Sequence, residues 1–242
     1  MSLNNQVREL LIENAYRFEV ASFIPTDPIS LPHRYTAKGD IEVSAFISAW
    51  MAYGSRIQFL KVLEHLHREM DRVGGPYAFI MSRAYKELSI PPETSLYRFY
   101  RWADFYALCG RLYQVLQHNP SLEADNIELR RRFSGINGIP KENSQSANKR
   151  LHMFLRWMVR RNSAVDFGLW QSVLSPAQLI IPLDTHVYHI SRQLGLTNRS
   201  VADLKCAIQI TDILKEIWPD DPVRGDFALY GMGINTSTTT LE

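Results

Sequence analysis

The sequence predicts an all-α fold, and three observations predict it. Apolar residues recur at three- and four-residue spacing in one segment after another, the period of an amphipathic helix. No run alternates apolar and polar residues with period two, and no Asn-Gly or Asp-Gly hairpin signal stands out. The periodic segments are separated by clusters of proline and glycine, the punctuation expected between helices. The 242 residues suffice for one large domain, or for two small lobes that share a core.

The first helix is read from Val7, Leu10, Leu11, Asn14 and Phe18. A Pro-rich passage follows, from Ile24-Pro25 to Leu31-Pro32. Its X-Pro steps favour an extended surface connection. Residues 40–70 read as two helices with Asp40 as N-cap of the first. Ile41, Val43, Ala45, Phe46, Ile47, Ala49 and Trp50 are apolar nearly all round, so that helix is expected to be buried. Gly54-Ser55-Arg56 interrupts it. Ile57, Leu60, Leu63 and Leu66 then mark an amphipathic helix.

Gly74-Gly75-Pro76 makes a turn, 77–88 is a further helix candidate, and Pro91-Pro92 breaks the chain. Residues 99–117 carry an aromatic and apolar series. At helical spacing such a series is core, although aromatic rings also stack on bases. A short basic segment, 126–133, contains Arg130-Arg131-Arg132, which reads as a solvated face that is also able to meet phosphate. The loop 133–140 follows, with Gly135 and Gly138 suited to positive φ.

The helix from Ser146 to Arg161 is the more informative one. On a 3.6-residue wheel Leu151, Phe154, Leu155, Met158 and Val159 share one side. Lys149, Arg156 and Arg160 share the other with Met153, flanked by Arg150 and Arg161. No acidic residue lies between Asn148 and Arg161, and this one-sided charge is the local footprint of a nucleic-acid-binding face. A connection with Trp170 leads to Ile180-Ile181-Pro182-Leu183-Asp184-Thr185-His186-Val187. Asp184 stands where an N-cap belongs, Val187, Ile190 and Leu194 continue at helical spacing, and Gly195 ends the helix. His186 and His189, three apart, have no third ligand at a matching spacing, so no metal is expected. Two last helices are read over 202–217 and 224–234, separated by Pro219-Asp220-Asp221-Pro222.

Composition narrows the function. A hydrophobic fraction of 45% is that of a globular chain and excludes disorder. A net charge of +2 excludes a globally basic protein, so any contact with nucleic acid rests on a local patch. Cys109 and Cys206 stand far apart, make no metal spacing and point to a reducing, cytoplasmic setting. No apolar run reaches the roughly 20 residues that span a membrane.

Pro182-Leu183-Asp184-Thr185-His186-Val187, with Arg192-Gln193-Leu194-Gly195-Leu196, resembles the "VDTH" and "RLGL" segment of the helix-hairpin-helix (HhH-GPD) DNA glycosylases. The chain as a whole looks closer still to a bacterial family of uncharacterised proteins, distantly related to those enzymes. The weaker similarity covers about 40–234. The resemblance implies a single two-lobed helical domain over 1–242, with a cleft between the lobes and double-stranded DNA as the partner. It implies Asp184 as the catalytic carboxylate. The turn Ser55, Arg56 and Gln58 would face the damaged base, with a loose match. The Gly-rich hairpin that holds a DNA phosphate would fall at Gly135 and Gly138, beside Arg150, Arg156 and Arg160. Here it departs from the family's "LPGVG" form and is irregular.

Bifunctional members place an attacking amine on the helix after the hairpin. Lys149 is the only lysine of that helix, 184 − 149 = 35 residues before the Asp, a spacing like that of the archaeal 8-oxoguanine glycosylases. Arg156 is the competing occupant of that position, and arginine stays protonated and cannot attack. Some relatives carry a four-cysteine iron–sulfur cluster, which two cysteines cannot hold, and no other cofactor is expected. The expected activity is cleavage of the N-glycosidic bond of a damaged base, such as an oxidised purine, with or without strand cleavage through Lys149. The alternative is a non-catalytic helical DNA-binding or protein-interaction module that shares only the fold.

Overall fold

The computed structural model describes residues 3–239 and is mostly helical. The chain divides into two compact units. The terminal unit is formed by the described residues up to Ile24 together with those from Asn143 onward. The inserted unit is Pro25–Glu142.

In the terminal unit, α1 (Asn5–Phe18) begins at Asn4, whose side chain accepts from the Gln6 amide. The other helices are α7 (Lys149–Val159), α8 (Thr185–Gln193), α9 (Leu204–Leu214) and α10 (Gly225–Thr239). The apolar faces of α1, α8, α9 and α10 meet in one core that includes Leu11, Ile181, Leu183, Val187, Ile190, Ile210, Leu214 and Leu229. That burial is the main stabilising term for helices of this length, which do not stand alone in water. Gly233 lets α10 pass close to α8, because a Cβ there would lie 2.8 Å from the His186 Cβ.

In the inserted unit, α2 (Lys38–Met51) is enclosed on all sides from Ile41 onward, as its all-round apolar pattern implies. It carries one buried acid, Glu42, whose oxygens accept from the Ser121 hydroxyl at 2.7 Å and the Leu122 amide at 3.0 Å. Around it lie α3 (Arg56–Asp71), α4 (Pro76–Met81), α5 (Trp102–His118) and α6 (Asn126–Arg132). The aromatic series of α5 is core: Trp102, Phe105, Leu108 and Leu112 are buried.

Several expectations are corrected. The Pro-rich passage is not extended. It folds into short 3-10 turns at Ala21–Thr26, Pro28–Ser30 and Pro32–Arg34, and Ile29 and Leu31 are buried. Asp40 is not the cap of α2, since Ala37 holds that position. The Asp40 carboxylate accepts from the Tyr77 amide at 2.8 Å instead, tying α2 to the start of α4. The helix expected over 77–88 stops at Met81, where Arg83 turns into the left-handed region at φ 62°. A small antiparallel ribbon, β1 (Ser95–Tyr97) with β2 (Tyr100–Arg101), occurs where only helix and loop were expected. Its three- and two-residue strands are too short to show a period of two.

Candidate functional site

The arrangement around Asp184 is built by the ends of three helices of the terminal unit. The apolar run before Asp184 is anchored by Ile181, whose amide donates to the Thr211 hydroxyl of α9 at 3.0 Å. Asp184 then caps α8, its Oδ1 accepting from the Val187 amide at 2.8 Å. The start of α7 is fixed just as firmly. Ser146 bridges to Asp203, the Leu204 amide donates to the Gln145 carbonyl at 2.9 Å, and Asn148 adopts φ 48° before the helix.

Lys149, the first residue of α7, places its Nζ 3.4 Å from Asp184 Oδ2. The two carboxylate oxygens are thereby divided, one to a backbone amide and one to an amine. The pair is partly open to solvent, with side-chain exposures of 33% for Lys149 and 16% for Asp184. It is accessible to a ligand without being fully hydrated.

Behind the pair lies a buried charge network. Asp226, near the start of α10, accepts from Arg156 Nη1. Burial pushes its carboxyl up to about 6 against the pull of Arg156, and the negative charge of Asp184 adds to the rise. Arg156 Nε also donates to Asp166 at 3.2 Å. Arg160 donates to Asp166 and Ser163 at 3.0 Å and to Asp221 at 2.9 Å, and reaches Glu19 at 2.5 Å. Glu19 in turn accepts from Arg224 at 2.9 Å. Both guanidiniums lie over the Phe227 ring, at 4.5 and 5.2 Å from its centre.

Arg156 and Arg160, expected to contact DNA, do not lie on an open stripe. Their exposures are 4% and 1%, and their donors are committed to protein carboxylates. The helical wheel assigned that face to nucleic acid because no acid lies within the helix. The acids come instead from Glu19, Asp166, Asp221 and Asp226, distant in sequence. Met153, an apolar residue among the cations and itself buried, was the available signal. Arg150 is half-buried. The Arg130–Arg132 run is not one solvated face either: Arg130 is buried and donates to the Glu142 carbonyl at 2.7 Å, while Arg131 and Arg132 both pair with Glu128.

The remaining candidates belong to the inserted unit. Gly135 and Gly138 take φ of 83° and 85°, in a turn held to α2 by the Trp50 indole N–H, which donates to the Asn137 carbonyl at 2.7 Å. No helix occupies 133–148, so this turn does not join two adjacent helices. Ser55 is the exposed N-cap position of α3, Arg56 is half-buried and Gln58 is exposed. Against this turn packs the ribbon that the sequence did not reveal. Tyr97 donates its hydroxyl to the Tyr53 carbonyl at 2.8 Å, and the Phe99 amide donates to the Tyr53 hydroxyl at 3.2 Å. Gly54 suits the φ of 74° there, and a Cβ would come within 2.8 Å of the Tyr97 hydroxyl, which is held by its own hydrogen bond. The ribbon presents Arg98, Phe99 and Arg101 to solvent, and Phe99 is 80% exposed. Among the described residues no group of three potential ligands is placed to hold a metal ion, and no helix is long and apolar enough to cross a membrane.

No curated protein matches the chain. No solved structure matches it either. A family model matches residues 27–136 and again 126–235, most of the chain. The chain therefore belongs to the family described as "Protein of unknown function (DUF2400)".

Proposed function

We propose that the protein is a DNA base-excision glycosylase of the helix-hairpin-helix kind, removing a damaged base such as an oxidised purine. The observation that carries this reading is the 3.4 Å approach of Lys149 Nζ to Asp184 Oδ2. Its second support is the "LDTHV…RQLGL" resemblance around the same aspartate. A lysine becomes a nucleophile only when it gives up its proton, and Asp184 is in position to accept it. The free amine then attacks C1′ of a flipped nucleotide. The C1′–N bond breaks with its electron pair leaving on the base, which takes up a proton, and the sugar opens to a Schiff base. The carboxylate also opposes positive charge that develops on the sugar. With Arg156 and Arg160 buried, the cations of this reading that meet phosphate are Arg98 and Arg101 of the ribbon, beside the Ser55–Gln58 turn.

The test is borohydride trapping on duplexes that carry an abasic site or an oxidised purine. A covalent adduct is expected with the unaltered protein and none with Lys149→Gln. Trapping that survives in Lys149→Gln assigns the amine elsewhere, with Lys141 the next candidate. The burial of Arg156 and Arg160 favours one competing reading, a helical module that does not act on DNA. That reading predicts neither trapping nor base release.

A further inference from the structure

The inserted unit contains a second concave site, which the proposed activity does not use. It is a cleft of about 740 Å³ between the segment after α4 and the face of α5. That volume lies within the range of pockets for small organic ligands.

Its chemistry is one-sided. Arg83 and Lys86 from the segment after α4, and Gln114 and Gln117 from α5, supply N–H donors, and none of the described lining residues is a carboxylate. Tyr113 is held between two of them. Its hydroxyl accepts from Arg83 Nη2 and from Gln117 Nε2, both at 2.5 Å, and the Arg83 guanidinium lies 4.0 Å from its ring centre. With its lone pairs so engaged, the Tyr113 O–H is left as one more donor. The rest of the cleft is apolar and flat-sided: Leu88, Ile90, Pro92 and Tyr106. The Tyr106 hydroxyl is spent on the Leu88 and Ile90 carbonyls, at 3.2 and 2.9 Å, so this residue offers the site its ring.

Two lining positions go against local backbone preference. Arg83 follows the end of α4 at φ 62°, a left-handed position at which helices usually place glycine. Gly110 lies inside α5, where glycine costs about 0.5–1 kcal/mol relative to alanine. Packing does not demand it, since the nearest atom to a Cβ at 110 is the Tyr85 hydroxyl at 4.0 Å. An arginine where glycine suits the backbone, and a glycine where alanine suits the helix, thus meet in the same cleft. Positions that break a local rule with no packing reason are where function is expected.

We infer that this cleft binds an aromatic anion of the nucleoside monophosphate class: the phosphate on Arg83 and Lys86, the base against Tyr106 and the amide edges of Gln114 and Gln117. The same chemistry is presented by a free nucleotide and by the phosphorylated end of a single strand. The inference does not depend on the Lys149–Asp184 reading.

Calorimetric titration of the full chain with deoxyguanosine and deoxyadenosine monophosphates tests it, with the nucleosides, inorganic phosphate and a 5′-phosphorylated single strand as further arms. Saturable binding of a monophosphate is expected, weaker for the nucleoside and for phosphate alone. Equal affinity for the strand would identify a strand end as the source, and loss of affinity for it would identify the free nucleotide. Arg83→Ala should weaken binding about tenfold or more, as for a lost charge-assisted hydrogen bond. Gly110→Leu fills the cleft from a helical position and should abolish binding with the melting temperature unchanged or raised. The inference is overturned if no arm saturates, or if a folded Gly110→Leu protein binds as the unaltered one does.

Discussion

Substituting Asp184 separates its two tasks, because its two oxygens serve different partners. Asn keeps an acceptor for the Val187 amide but removes the charge that faces Lys149. Ala removes both. The cap is worth about 1 kcal/mol. The ion pair, with Lys149 one-third exposed, adds at most about 1 kcal/mol after solvent screening. For a chain of this size, 1 kcal/mol corresponds to about 2–4 °C in melting temperature. Asp184→Asn should therefore melt within a few degrees of the unaltered protein, and Asp184→Ala about 2–4 °C lower still. Base release is expected to fall at least about a hundredfold in both, since each loses the charge. Paired melting scans and single-turnover excision assays measure the two effects. Full excision by a well-folded Asn variant would reduce Asp184 to a helix cap. Equal melting of the Asn and Ala variants would refute the cap.

The other predictions concern charges away from that pair. Arg156→Ala strands Asp226 in the core and leaves Asp166 to Arg160 alone, and breaking a buried pair in this way costs about 3–5 kcal/mol; a large fall in the urea midpoint is expected, and an unchanged midpoint would disprove the network. His67, buried between the Ser44 hydroxyl and the Leu63 carbonyl, has its pKa pushed down by burial to about 4. Its folded value lies below the unfolded 6.5, so its contribution is complete above pH 6.5 and about 3 kcal/mol is lost as pH falls to 4. Asp226 works oppositely, since its raised pKa adds stability as pH falls through 6, and urea midpoints of His67→Gln should therefore rise toward acid more than those of the unaltered protein. Arg98→Ala with Phe99→Ala, on the exposed ribbon, should leave melting unchanged, weaken duplex binding and lower the salt slope by about one, and an unchanged slope would remove the ribbon from the DNA face.

The helices were legible wherever one face of a periodic segment meets the core, as in α3, α8 and α9, and in α2, where the apolar pattern runs all round. Asp184 was legible as a cap because capping is a local event between residues three apart. What escaped the sequence was long-range. The destination of a charged helix face depends on which acids fold over it, and those of Arg160 come from positions 19, 166 and 221. The Pro-rich passage looked extended because X-Pro steps disfavour α-helix, yet 3-10 turns accommodate proline at their first position, as at Pro28 and Pro32. The 3.4 Å approach of Lys149 to Asp184 spans 35 residues and was expected only through resemblance.

The order in which the chain leaves the ribosome gives the two-unit division a temporal meaning. Residues of the inserted unit are contiguous, so all of its partners are present once Glu142 has emerged. The terminal unit has to wait. Glu19 meets Arg160, Asp221 draws on the same guanidinium, and α1 lies against α10, which is made after the whole of the inserted unit. Until that helix arrives, α1 is a short segment with an unburied apolar face and an acid without its cation. A ribosome stalled after Glu142 should therefore carry a protease-resistant inserted unit behind an N-terminal arm that is still readily cut.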